Sequence, residues 1–308
     1  MLDFSKLPDR EWLDQEAERE PEKQYAEEER AIAAHKEARK RTEAQTQDFL
    51  SRLRFKASDL EKENREENAY ADESLKAVEE ELASREEADE TETMSLHSLD
   101  MNLAPQTVTG SGPGHYYDFN PYHCWWRWYT HNEGGRTTGR AGCSRSARKM
   151  YLDAYARGDG PGFWDDNYTT CWSKLFFAFW PRRNGHVRAF VPFTTRGWYR
   201  IYANDKWYNS KSAEVDLDVQ VQLHQNYWGG RVKDDVFRIR SGNVNRSGRI
   251  DRSRTLYSGG IPVGANKWVI AEVTTRAHAY TSGGGSTARL AFWPPDNVFA
   301  PYVRFDFS

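Results

Sequence analysis

The chain has 308 residues, with 43 Lys+Arg against 46 Asp+Glu and a formal net charge of −3. That near-balance hides two unlike parts: residues 1–100 hold 16 basic and 30 acidic side chains (16 − 30 = −14), and the other 27 basic and 16 acidic residues give +11. Three cysteines are too few for a disulfide framework, no run of about 18 apolar residues could span a bilayer, and the start MLDFSKLPDREWLDQEAERE lacks the basic and apolar regions of a secretion signal.

The first glycine is Gly110, and 11 of the 12 tryptophans lie beyond residue 120. A Gly-free, Glu/Lys/Arg/Ala-rich part followed by a Gly- and aromatic-rich part predicts a rod and then a globule. The expected fold is α plus all-β. A long helical or coiled-coil stalk or docking segment spans 1–92, and a linker or extended arm spans 93–114. An aromatic-rich antiparallel β-sandwich of jelly-roll or Greek-key type spans 115–308.

In chain order, Phe4, Leu7 and Trp12 are too much apolar surface for a solvated terminus and are expected to dock on something. From Glu22 to Glu92 there is no Gly or Pro, and helix formers dominate. Phe49, Leu53, Ala57 and Leu60, then Ala71, Leu75, Val78 and Leu82, form a narrow apolar seam, the last four at 4-3-4 spacing. Asn64 and Asn68 lie on the same side. Because such a seam is marginal alone, it predicts packing against other helices, of a partner chain or a neighbouring subunit. The arm around 93–114 carries Met94, Leu96, Leu99, Met101 and Leu103, more apolar than a free linker.

Residues 115–186 are dense in aromatics and read as loops and short strands. One short helix is expected at about 144–157, because Met150, Tyr151, Ala154 and Tyr155 share a helical face and Gly158 stands at the cap position. From Gly185 the reading is β. The anchor is Ala213–His224, where Val215, Leu217, Val219, Val221 and Leu223 alternate with Glu214, Asp216, Asp218, Gln220 and Gln222. That alternation predicts a half-buried strand with one apolar and one polar face. Further strands are expected at His186–Thr194, Trp198–Ala203, Val236–Arg240, Ile250–Tyr257, Lys267–Tyr280, Thr287–Trp293 and Tyr302–Phe307. Turns such as TRG, YWGG, SGNVNRSG and TSGGGS separate them. Phe190, Ile201, Val269, Ile270, Val273, Leu290, Phe292, Val303 and Phe305 complete the expected core.

No catalytic signature stands out. His115, His123, Cys124, His131, Cys143 and Cys171 have the right atoms for zinc but not the spacing, so no metal or other cofactor is expected. Asp165–Asp166 near His131 and Glu133 reads as a turn or cap rather than paired catalytic carboxylates. Arg157-Gly158-Asp159 reads as a turn after the expected helix. The arginine-rich strips of the second part suit nucleic acid less well than they suit the acidic rod of a neighbouring chain. Trp198, Tyr199, Trp207, Tyr208, Tyr227 and Trp228 gather at expected strand ends beside Asn and Asp, which suits a glycan-binding face; a core or subunit interface would enrich the same residues.

The layout of helical stalk, linker and β head resembles in outline bacteriophage tail, neck or decoration proteins and components of phage-like injection machines. What it implies is a non-enzymatic structural subunit of a large assembly, self-associating, made in a cytoplasm and carried in a virion or exported particle. A carbohydrate-binding module on a stalk, and an enzyme or toxin-like cargo with a helical delivery segment, are the alternatives.

Overall fold

The structure is a computed structural model that describes residues 8–54, 56–96, 108–159, 165–206 and 210–308. Two helices come first, α1 (Arg10–Arg52) and α2 (Ala57–Leu96). Fifteen strands follow: β1 (Val108–Gly110), β2 (Gly114–Asp118), β3 (His123–Asn132), β4 (Arg136–Ser144), β5 (Lys149–Arg157), β6 (Asp166–Pro181), β7 (Gly185–Asn204) and β8 (Ser212–His224). The rest are β9 (Trp228–Ser241), β10 (Asn243–Tyr257), β11 (Ile261–Val263), β12 (Val269–Ser282), β13 (Thr287–Phe292), β14 (Asn297–Phe299) and β15 (Val303–Phe307).

Among the described residues the strands make two sheets. One has six strands in the order β1-β6-β12-β8-β9, with β3 also on β6. The other has nine, in the order β13-β5-β14-β7-β15-β2, with β10 and β11 on β7 and β4 on β5. The inward faces meet in one core: Val215, Leu217, Val219, Val221 and Leu223 of β8 are fully buried with Phe177 and Phe179 of β6, Val191 and Phe193 of β7, and Phe305 of β15.

The polar face of β8 is not solvated as the alternation predicted. Glu214, Asp216, Asp218, Gln220 and Gln222 are all at most 9% exposed. The reason is α1, which lies on the outer face of the six-stranded sheet. Leu13 and Ala17 are fully buried among Trp125, Trp172, Phe176, Trp180, Trp268 and Ile270. Buried charges there are paired, as burial requires. Arg276 donates to Asp216 (2.5 Å) and Asp218 (2.6 Å), and Lys174 donates to Glu272 (3.0 Å).

The chain reverses between Leu53 and Lys56, and α2 returns along part of the nine-stranded sheet's outer face. Asn64, Glu67, Asn68 and Ala71 are buried. The Lys211 ammonium donates to Asn64 (3.0 Å) and to Glu67, Asn204 donates to Glu67 (2.7 Å), and Arg200 donates to Ser74 (2.7 Å). Arg157 pairs with Asp72, and Arg289 with Glu79. The opposite charges of the two parts are therefore neutralised within one chain, where the composition had suggested a neighbouring chain's rod.

Four expectations are corrected. No coiled coil is shown: the side of α2 carrying Asn64, Asn68 and Ala71 faces the chain's own sheet. Leu75 is half-buried beside Tyr155 and Arg289, while Phe49 and Leu53 are about half exposed (50% and 51%). The side chains of Leu60, Val78 and Leu82, like residues 97–107 of the expected linker, lie outside the described residues. The helix expected at 144–157 is strand β5, because Met150, Leu152, Ala154 and Ala156 point inward and Tyr151, Asp153, Tyr155 and Arg157 outward, a period of two. The strands expected at 186–194 and 198–203 are one strand, β7, since TRG continues the ladder with β10. Phe190 faces outward rather than into the core, on the opposite side of β7 from buried Ala189 and Val191.

Candidate functional site: an open aromatic face

The aromatic residues singled out from the sequence do not gather in one place. Trp198 is 7% exposed, with the Arg289 guanidinium 4.9 Å from its ring centre. Tyr199 points to the opposite side of β7 and meets Phe237 at 4.7 Å. Trp228 lies on the other sheet, where its indole N–H donates to Glu16 of α1 at 3.0 Å. Tyr227 is exposed, and Trp207 and Tyr208 lie outside the described residues. Of the docking trio, Phe4 and Leu7 also lie outside them. Trp12 is half-buried against its own chain, 5.0 Å from the His224 ring.

The zinc-type atoms are scattered as well. Cys124 and Cys143 form a disulfide between β3 and β4, one strand from each sheet, with Cα atoms 6.2 Å apart. Cys171 is buried, and burial raises its thiol pKa. His123 meets Asp14 (2.7 Å), and His131 meets Glu29 (2.7 Å). Asp166 accepts from the Tyr280 hydroxyl at 2.5 Å, and Arg157 is held by Asp72 and Asp159, so neither FWDDNY nor Arg157-Gly158-Asp159 presents a free reactive group. Among the described residues one acidic trio, Asp216, Asp218 and Asp235, has ligand atoms within 4.8 Å of one another. It is already answered by Arg276 and Lys233.

The exposed side chains that do converge lie on the half of the nine-stranded sheet that α2 leaves open. Register aligns Tyr117 of β2 with Arg304 of β15, Arg304 with Phe190 of β7, and Phe190 with Tyr257 of β10. Four adjacent strands thus carry one outward row about 14 Å long, taking the usual strand spacing. Tyr117 is 43% and Tyr257 60% exposed. The Arg304 guanidinium lies 4.0 Å from the Phe190 ring centre, and Phe190 meets Tyr257 edge-on at 4.9 Å. Tyr302 and the exposed Phe119 extend the patch, each ring within 5.4 Å of its neighbour.

A polar row runs beside it. Arg304 donates twice to Asp306 (2.8 and 3.0 Å), and the same carboxylate meets His115 Nδ1 at 2.6 Å. Next to these groups is an open cavity of about 850 Å³, lined by His115, His186, Arg188, Gly260, Asp306 and Phe307. Rings beside fixed donors and acceptors can hold a ligand that has apolar faces and hydroxyl edges. Exposed aromatic patches of this kind mark binding surfaces. A second exposed pair, Trp126 and Trp128 on β3, stacks at 5.6 Å. Trp128 packs over Gly139, where a Cβ would come within 2.6 Å of its ring.

The sequence reading missed the open face. Its signal was the alternation Tyr302, Arg304, Asp306 against Val303, Phe305, Phe307, which separates an outward from an inward set. What the sequence does not display is which strands lie side by side.

No family model matches the chain, and no curated protein matches it. Among solved structures it is similar to the enzymatically active domain of bacteriophage CBA120 tailspike protein 4, at 7% identity and a TM-score of 0.23 over 57% of this chain and 19% of that one. It is also similar to TmCBM61 in complex with β-1,4-galactotriose (8%, 0.18, 57% and 86%). A family 35 carbohydrate-binding module from Clostridium thermocellum gives 13%, 0.16, 63% and 98%. Scores this low concern sheet packing alone and carry no functional information. No helix among the described residues is long and apolar enough to cross a membrane.

Proposed function

We propose that this protein is a carbohydrate-binding β-sandwich whose binding surface is the open half of the nine-stranded sheet. The observation that carries this reading is the row Tyr117–Arg304–Phe190–Tyr257 beside the Arg304–Asp306–His115 array. The rings offer flat apolar platforms to the C–H faces of a sugar, and the arginine, carboxylate and imidazole offer partners to its hydroxyls. Both sets are fixed before a ligand arrives, because strands carry them and Asp306 holds Arg304 on two bonds; that lowers the ordering cost of binding. The length of the row suits an oligosaccharide better than a single ring.

The test is a glycan array on the full chain, followed by titration calorimetry with the strongest binder. Tyr117→Ala and Tyr257→Ala each lower affinity about tenfold, while Trp126→Ala, exposed on β3 of the six-stranded sheet, leaves it unchanged. Wild-type protein that binds no glycan, or binding indifferent to both substitutions, removes the reading.

Membership of a larger particle is a separate proposal. It rests on Leu53, about half exposed beside the helical reversal, as a surface for a partner once the helices have docked on the sandwich. Light scattering coupled to size exclusion, on wild type and Leu53→Asp, tests self-association there.

A further inference from the structure

In the cavity at the end of the aromatic row, whose lining also includes Ser308, Arg188 is a charged side chain left without a partner among the described residues. Arg188 of β7 stands directly across from Asp306 of β15 in the ladder, the position of a cross-strand ion pair. The pair does not form, because Asp306 is already engaged. Both of its oxygens accept from Arg304, two residues away on the same strand, and Oδ1 also meets His115. Arg304 in turn is held by stacking over Phe190. Arg188 is therefore exposed, with no side-chain hydrogen bond or ion pair among the described residues. His186, two residues earlier on the same face of β7, is exposed too. Arg183 adds a third basic group, 5.4 Å from the ring centre of Phe307, which lines the cavity.

Gly260 forms the wall behind Arg188. A Cβ built there would come within 3.3 Å of Arg188 Nε, so the absence of a side chain lets the arginine stem lie close against that backbone. The guanidinium stays on the open face, two residues along β7 from Phe190 of the row of rings.

We propose that this cavity is an acidic subsite of the carbohydrate face, and that the ligand is an oligosaccharide carrying a carboxylate, of the uronic- or sialic-acid class. The inference rests on the carbohydrate reading above and adds the ligand's charge to it. The planar guanidinium of Arg188 presents two parallel N–H donors, the geometry a carboxylate accepts. Its own strand partner does not compete for those donors. The sugar rings lie on Phe190 and Tyr257, and the acidic group reaches past Arg304 into the cavity.

The experiment uses the full chain and matched pairs of oligosaccharides: a neutral chain, the same chain with uronic-acid units, the carboxyl-reduced form of the latter, and a sulfated analogue. Calorimetry at low and moderate salt measures each one against wild type, Arg188→Gln and Tyr117→Ala. The uronate binds wild type about tenfold or more tighter than its reduced form, as a charge-assisted bidentate contact predicts. In Arg188→Gln that margin collapses while affinity for the neutral chain is kept. Thermal melting of Arg188→Gln matches wild type, since the side chain is exposed and unpaired. Equal affinity for uronate and reduced forms overturns the proposal, as does a margin that survives in Arg188→Gln. A sulfated analogue that binds as well as the uronate replaces carboxylate selection with general anion attraction and overturns it too. Failure of every saccharide to bind, or binding indifferent to Tyr117→Ala, defeats the carbohydrate reading itself.

Discussion

Glu28→Gln isolates the electrostatics of the layer between α1 and the six-stranded sheet. Burial pushes the Glu28 carboxyl from its ordinary 4.5 up to about 7; nearby Arg276 opposes the rise and Glu29 adds to it. A carboxyl that holds its proton more tightly when folded releases it on unfolding at intermediate pH. Stability therefore falls as pH rises from about 4.5 to about 7 and is level above that. The full rise corresponds to about 3 kcal/mol. Glu28 is only partly buried, and solvent screening leaves ~1–2 kcal/mol. The neutral amide removes this penalty. Urea denaturation followed by tryptophan fluorescence finds Glu28→Gln more stable than wild type by that amount at pH 8, with the difference closing toward pH 5. Asp118, raised by burial to about 7, adds a slope of the same sign. His278, lowered by burial to about 3, adds the opposite slope as pH falls below 6.5. Both are shared by the two proteins and cancel in the comparison. A Gln variant equally or less stable at pH 8 refutes the reasoning.

Other substitutions probe how the helices are held. Glu67→Ala leaves the buried Lys211 ammonium with Asn64 as its one hydrogen-bond acceptor among the described residues and costs about 3–5 kcal/mol; less than 1 kcal/mol in chemical denaturation contradicts the buried pair. Leu13→Ala empties a fully buried site under α1 and costs about 2–5 kcal/mol. The emission of Trp125, Trp172, Trp180 and Trp268 shifts to the red if the helix loosens, and unchanged stability and emission show that α1 is not packed there. Replacing both Cys124 and Cys143 by Ser opens a link between residues 19 apart in sequence and removes roughly 3 kcal/mol, read as a lower Tm. An unchanged Tm shows that the bond is absent or without effect.

Legibility in the sequence followed periodicity. Strand β8 was readable to within a residue because Val and Leu alternate strictly with acids and amides. The burial of its polar face was not, since α1 supplies the cover from some 200 residues away, as the Gln220–Glu20 hydrogen bond shows. Strand β5 reads as a helix because Met150, Tyr151, Ala154 and Tyr155 also fall on one helical face, whereas in the strand Tyr151 and Tyr155 point outward on either side of Asp153. Gly197 looked like a turn, yet it lies within β7 because the Phe292 ring occupies the space of its missing side chain. The reversal at 53–56 was invisible: it uses Arg54 at φ 60° and neither Gly nor Pro. The absence of Gly and Pro marks the helix only from Glu22, whereas α1 begins at Arg10 behind an Asp9 cap and carries Pro21 inside. At the candidate site, the outward set on β15 could be read from alternation. The alignment of Tyr117, Arg304, Phe190 and Tyr257 depends on strands far apart in sequence and could not.

Hydrogen exchange of the full chain with and without a saturating oligosaccharide tests the central claim most directly. The account predicts new protection confined to 114–119, 186–192, 253–261 and 302–307, the segments that build the open face and its cavity. Protection centred on α1, or on Trp126 and Trp128 of β3, contradicts it.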